Sequence, residues 1–198
     1  MSHHHLVVDL GGVLFRFHHA HRLQRLAAAF SLAPDRVDEL LWRSGFSSDS
    51  DSGRYTDAAE VRDRIRAVTG FAGSDELLDT SWCSAFSPDH SVRDVLELHR
   101  GSRSLTLFTN NGPLEEEVLP RLYPEMFDGF GQLLFSYRLG HRKPDPAAFD
   151  AASKRLGASP DEVLFIDDSP ANIEAARTLG WTALRFRGPQ TIEQAGCH

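Results

Sequence analysis

Cysteine is scarce in this chain: Cys83 and Cys197 are the only two in 198 residues, and no metal-ligand or redox spacing relates them. Neither a disulfide nor a catalytic thiol is therefore expected. Long apolar runs are also missing. No stretch approaches the roughly 18 residues that span a bilayer, and the first residues lack the basic-then-apolar order of a signal peptide. A soluble, cytoplasmic protein with no membrane partner is expected. Basic clusters are absent too: 21 Lys and Arg stand against 28 Asp and Glu, for a net charge of -7. No stripe of positive charge exists to track a phosphate backbone, so nucleic acid is not an expected partner. Repeats and low-complexity tracts do not occur.

What remains suits one substantial core. With 41% hydrophobic residues over this length, the chain can bury a single α/β domain plus an inserted lobe. Its organising stretch is Leu6-Val7-Val8-Asp9-Leu10-Gly11-Gly12-Val13-Leu14. A β-branched apolar run delivers one carboxylate and breaks at two glycines, the pattern of a buried parallel strand ending in a tight turn. Ligands of open α/β sheets sit beyond the carboxyl ends of the strands, which makes Asp9 a candidate for chemistry. The three histidines before it, His3 to His5, read as a solvated end, because adjacent side chains on an extended segment alternate faces.

From about Arg16 to Phe86 the spacing is helical. Leu23, Leu26, Ala27 and Phe30 repeat at helical intervals, as do Val37, Leu40 and Leu41 after Pro34, and Val61, Ile65 and Val68 after Thr56; residues 49–53 read as a polar loop. An insertion of this length beside a strand end is a candidate lid, with Trp42, Phe46 and Tyr55 as candidates for its underside. Strands then recur at Ser104 to Phe108, Gln132 to Ser136, Val163 to Ile166 and Trp181 to Phe186, separated by helical segments. That alternation predicts a parallel sheet wrapped by helices. The strands end at Thr109-Asn110-Asn111-Gly112 and at Asp167-Asp168, and Lys143 falls in the loop before a helix capped by Asp145.

Asp9, Thr109, Asp167, Asp168 and Lys143 should meet at one end of the sheet. Three carboxylates in a small volume need raised pKa values or a bound cation. Mg²⁺ suits an oxygen-rich site that leaves positions for a substrate phosphate. The hydroxyl of Thr109 and the amides of Asn110 and Asn111 are candidates to hold phosphate oxygens, and Lys143 supplies a point charge.

Strand-Asp, strand-Thr-Asn-Asn, Lys-Pro-Asp-Pro and strand-Asp-Asp, in this order, resemble the haloacid dehalogenase superfamily over nearly the whole chain. The Leu-Gly-Gly and Ile-Asp-Asp-Ser-Pro-Ala-Asn-Ile variants are most similar to a branch containing bacterial glucose-1-phosphate phosphatases and the phosphatase domain of soluble epoxide hydrolases. The resemblance implies a Rossmann-like three-layer sandwich with a five-stranded parallel sheet, formed by residues 1–15 and 88–198, and a helical cap over 16–87. It further implies a Mg²⁺-dependent phosphatase acting on a small phosphorylated molecule, sugar phosphates included; the sequence leaves monomer or homodimer open. In that reading Asp9 is the nucleophile. Asp9, the Gly11 carbonyl, Asp168 and Asp167 (directly or through water) hold the metal, Thr109, Asn110, Asn111 and Lys143 hold the phosphoryl group, and Asn172 supports them.

One position departs from the family pattern. Most phosphatases of the superfamily carry a second Asp two residues after the nucleophile, and here that residue is Gly11. General acid-base help is typically worth 10²–10⁴-fold, so the substitution implies slow turnover, a good leaving group or a replacement donor. His18, His19, His21 and His141 are the candidates by residue type. Two other readings use the same residues: a metal-independent haloacid dehalogenase, and a weakly catalytic protein that binds a phosphorylated ligand.

Overall fold

A computed structural model describes residues 3–194; Cys197 lies outside them. In chain order the elements are β1 (His5–Val8), β2 (Phe15–Phe17), α1 (His19–Phe30), α2 (Pro34–Asp38), α3 (Phe46–Asp51), α4 (Ala58–Thr69), α5 (Asp75–Cys83), β3 (Phe86–Pro88) and α6 (His90–Glu97). Then follow β4 (Ser104–Thr109), α7 (Pro113–Leu122), α8 (Pro124–Phe127), β5 (Gln132–Phe135), α9 (Ser136–Leu139), α10 (Pro146–Leu156), β6 (Val163–Asp167), α11 (Pro170–Thr178), β7 (Thr182–Arg185) and α12 (Gln190–Gln194). Among the described residues no helix is long and apolar enough to cross a membrane.

Five strands form the expected parallel sheet, in the order β5-β4-β1-β6-β7. Alternation along each strand makes three layers. Leu6, Val8, Leu164 and Ile166 face one hydrophobic core, shared with α1, α4 and α7. Val7, Phe108 and Phe165 face a second core, closed by Phe149 of α10, Ile173 of α11 and Trp181. In that second core Phe149 meets Phe165 and Trp181 edge to face, at centroid distances of 5.8 and 5.4 Å.

The sheet order explains why distant residues converge. β1 is central, and the chain leaves it for β4 on one side and β6 on the other, the topology that opens a crevice at the strand ends. Val8 is level with Leu107 and Ile166. Asp9 follows at once, with its N–H donating to the Ile166 carbonyl at 2.9 Å.

Between β1 and β4 the chain is not wholly helical. Phe15–Phe17 and Phe86–Pro88 pair as an antiparallel ribbon through which the helical segment leaves and returns. Residues 49–53 also differ from the expected polar loop, since α3 covers Asp49 to Asp51. It is held by tertiary burial: Phe46 packs on Tyr55 and Trp82, and the Asp51 carbonyl accepts from Ser136 Oγ at 2.6 Å. A segment rich in serine and aspartate thus forms a helix whose inner side, Phe46, Ser50 and Asp51, is buried. The His3 to His5 expectation also changes, because only His4 is exposed. His3 is buried against Thr182 Oγ1 at 2.8 Å, and His5 opens the central strand.

Polar contacts fasten the helical segment to the sheet layer. Arg62 of α4 holds Asp79 of α5 through two bonds, of 2.7 and 2.9 Å, and reaches Glu117 of α7 at 2.6 Å. Trp82 Nε1 donates to Glu115 at 2.7 Å. Asp51 is buried in the same region. Burial first, and the neighbouring Glu115 next, hold its carboxyl well above its ordinary 3.8, against Arg142 and Arg22. The folded chain therefore keeps a proton that the unfolded chain releases above 3.8. This group's contribution to stability is greatest in acid and is lost as the pH climbs from there towards the folded-state value. Asp51→Asn is expected to flatten that decline, read as the denaturant midpoint of wild type and variant across the acid-to-neutral range.

Candidate active site

The sheet places Asp9, Thr109 and Asp167 at the ends of three adjacent strands, and the loop before α10 adds Lys143. Lys143 is 4% exposed. Its ammonium donates to Asp9 Oδ1 at 2.9 Å, Asp167 Oδ2 at 2.7 Å and the Phe108 carbonyl at 2.6 Å. All three donors of the lysine are thus engaged. Its Nζ also lies 4.9 and 5.1 Å from the ring centroids of Phe108 and Phe165, contacts that favour a cation. Burial acts to lower the Lys143 pKa, but Asp9 and Asp167 outweigh it and the net shift is upward.

Asp9 is shifted upward too, but by burial itself. Burial pushes its carboxyl up to about 6, with Asp167 adding to the rise and Lys143 opposing it. Asp168, the exposed member of the three, is also raised, by partial desolvation and then by Asp167. The three carboxylates offer oxygens that all lie within 4.8 Å of one another. One lysine cannot balance three such groups, and a hard cation bound by oxygen would lower the energy of the ionised forms. The donor set fits Mg²⁺.

Asp167 is the most occupied of the three. Its oxygens accept from the Ser169 N–H at 2.8 Å, from Asn172 Nδ2 at 3.0 Å and from Lys143. Asp9 and Asp168 are left with more open coordination. Gly12 lets Asp168 approach. A methyl group on it would sit 2.3 Å from Asp168 Oδ2, and its φ of +89° is strained for any side chain. Gly12→Ala is expected to destabilise the fold by about 1–3 kcal/mol, measured as a shift in the urea midpoint.

Asn110 and Asn111 build the turn after β4. The Asn110 side chain and the Lys143 backbone exchange two bonds, of 2.7 and 2.8 Å, so Asn110 anchors the loop that carries the lysine. Thr109 Oγ1 donates to Asn111 Oδ1 at 2.6 Å. These residues line a cavity of about 190 Å³ with Asp9, Gly11, Lys143 and Asn172. The structure therefore brings the polar candidates together at one cavity, with Asp168 beside it.

Two lining residues went unnoticed in the sequence: Phe17 and Phe86, one from each strand of the ribbon. Trp42, Phe46 and Tyr55 are not part of that lining. Phe46 and Tyr55 are buried core, and Trp42 stacks on Trp82 at 5.3 Å. The histidine candidates are not among the lining residues either. His18 and His21 are exposed, His19 lies 3.7 Å from Asp38 and stands edge-on to Trp42, and His141 lies 3.8 Å from Asp145.

Comparison with known proteins agrees with this geometry. The family model for haloacid dehalogenase-like hydrolases matches residues 3–180. D-ribitol-5-phosphate phosphatase of Bacteroides thetaiotaomicron is 27% identical over 183 residues, covering 89% of this chain and 88% of that protein. A phosphorylated carbohydrates phosphatase of Thermotoga maritima is 31% identical over 91 residues, 45% of this chain and 41% of that protein. A haloacid dehalogenase family enzyme of B. thetaiotaomicron, solved with magnesium and inorganic phosphate, superposes with a TM-score of 0.77 at 26% identity, covering 91% of this chain and 92% of the other. Matched along most of its length in both sequence and fold, this chain belongs to the haloacid dehalogenase-like hydrolases.

Proposed function

We propose that this hydrolase is a Mg²⁺-dependent phosphatase of small phosphomonoesters, sugar phosphates included, working through an aspartyl-phosphate on Asp9, with residues 16–87 as its cap. The observation that carries the reading is the clustering of Asp9, Asp167 and Asp168 at the edge of one cavity, with a single lysine, Lys143, bonded to the first two. The ribitol-phosphate and phosphorylated-carbohydrate phosphatases among its relatives, and the magnesium and phosphate bound in a structural neighbour, support it.

Asp9, the Gly11 carbonyl and Asp168 would hold the ion, with Asp167 reaching it directly or through water. The bound ion would screen the negative charge of nucleophile and phosphate. One Asp9 oxygen attacks phosphorus as the bond from phosphorus to the leaving oxygen breaks, and water then cleaves the acyl phosphate to release phosphate and restore the carboxylate. Lys143 offsets charge on Asp9 and on the transferring group. Thr109 and the turn at Asn110 and Asn111 grip the phosphoryl oxygens; the Asn110 side chain does so indirectly, by fixing the Lys143 loop. Asn172 holds Asp167 in place. Dehalogenation without a metal fits less well, because it gives no reason to gather three carboxylates beside the nucleophile.

Phosphate release from p-nitrophenyl phosphate and a panel of small phosphomonoesters, with and without Mg²⁺, tests the reading. Release that needs the ion supports it; halide release from a haloacid without the ion overturns it. Gly11 adds a sharper expectation. A methyl group there would meet Phe86 and Phe17 at ordinary contact distances of 3.5 and 3.6 Å, and Gly11 is not among the positive-φ glycines. Gly11→Asp therefore admits the Cβ of the missing acid without backbone strain. It is expected to raise kcat on alkyl phosphates by about tenfold or more and to leave p-nitrophenyl phosphate, whose leaving group needs no proton, nearly unchanged.

A further inference from the structure

The side of the cavity that would face the leaving group is made of two phenyl rings. Phe17 and Phe86 stand 5.2 Å apart at 61°, both in contact range of the space above Gly11. Arg22 sits behind them, its Cζ 5.2 and 5.3 Å from the two centroids. The same guanidinium lies 5.5 and 5.3 Å from the rings of Trp42 and Trp82. It is 3% exposed and does not line the cavity. The lysine that does line it has every donor committed to Asp9, Asp167 and the Phe108 carbonyl.

Resting on the phosphatase reading, we infer that Phe17 and Phe86 choose the substrate: the enzyme takes phosphomonoesters whose leaving alcohol is uncharged and offers a C–H face, and rejects those carrying a second anion. A carboxylate or second phosphate on the leaving group would be desolvated against phenyl rings, with Arg22 buried behind them and every Lys143 donor already committed, which is costly. Aliphatic C–H groups and aromatic rings lose nothing there and gain contact with the rings.

Phe17 is 44% exposed, so it can be changed without opening the core. The test compares glycerol 3-phosphate with 3-phosphoglycerate, which differ by a hydroxymethyl group against a carboxylate, in wild type, Phe17→Ala and Phe17→Lys, each with Mg²⁺. Wild type is expected to favour the glycerol ester in kcat/KM by about tenfold or more, the equivalent of about 1.4 kcal/mol. Phe17→Ala should raise KM for the glycerol ester, and Phe17→Lys should raise kcat/KM on the carboxylate ester by a similar factor. Equal kcat/KM for the two esters in wild type, or a ratio that Phe17→Lys leaves unmoved, overturns the inference alone. No Mg²⁺-dependent release from either ester or from p-nitrophenyl phosphate overturns the phosphatase reading as well.

Discussion

Asp9→Asn is expected to lower kcat for phosphate release by at least about 10⁴-fold, in line with the loss of other covalent nucleophiles. The change is nearly isosteric, so the β1 turn and the cavity should persist. What disappears is the charge and the nucleophilic oxygen. The amide nitrogen cannot accept from Lys143, and the remaining oxygen is a far weaker nucleophile. Asp9 is buried, and its carboxyl is raised to about 6 chiefly by burial. A neutral amide relieves that desolvation, so the variant should be no less stable than wild type while inactive. Steady-state kinetics beside a urea denaturation curve separates the two effects. Wild-type turnover by Asp9→Asn would remove Asp9 from the chemistry.

Lys143→Met should affect both quantities. The lysine is the shared partner of Asp9 and Asp167, at 2.9 and 2.7 Å. Removing one partner of a buried ion pair typically costs about 3–5 kcal/mol, because the opposing charge stays buried and unpaired. Here two carboxylates are left with Asp168 beside them. Methionine keeps the apolar stem packed on Phe108 and Phe165 but returns none of the charge. We expect a loss of stability of that order and of at least about 10³-fold in kcat, since charge stabilisation of the transferring group is lost with the lysine. Mg²⁺ should also stabilise the variant more than it stabilises wild type. An ion that binds the folded site alone raises stability by mass action, and in the variant it becomes the principal source of positive charge there. Thermal unfolding with and without Mg²⁺ reads this directly; equal shifts in both proteins would mean that the ion does not bind beside Lys143.

The sheet and its polar corner were legible because each piece carries a local signal that the topology then combines. The apolar run before Asp9, the Thr-Asn-Asn turn and the Asp167-Asp168 pair each mark a strand end, and a parallel sheet with β1 between β4 and β6 brings those ends together. The ribbon left no such signal. Its strands are three residues long, and the pairing of Phe17 with Phe86 joins segments far apart in the chain, which no local periodicity reports. The aromatic wall escaped notice for the same reason, while the cap aromatics chosen in its place satisfy the core. The helix over residues 46–51 was hidden by its serines and aspartates; Phe46, Ser50 and Asp51 turn inward, and Ser136 satisfies the Asp51 backbone carbonyl. Asn110 shows the limit at a single residue. Its place beside Thr109 pointed to phosphate, and only the folded loop reveals that its side chain is spent on the Lys143 backbone.

The decisive measurement is mass analysis of the enzyme quenched in acid during turnover of p-nitrophenyl phosphate with Mg²⁺, followed by peptide mapping. The expected result is a peptide containing Asp9 heavier by one phosphoryl group, with an adduct that hydroxylamine removes as it does an acyl phosphate and that is absent from Asp9→Asn. Phosphate release at full rate with no adduct on Asp9, or with a hydroxylamine-labile adduct on another residue, would contradict phosphoryl transfer through Asp9.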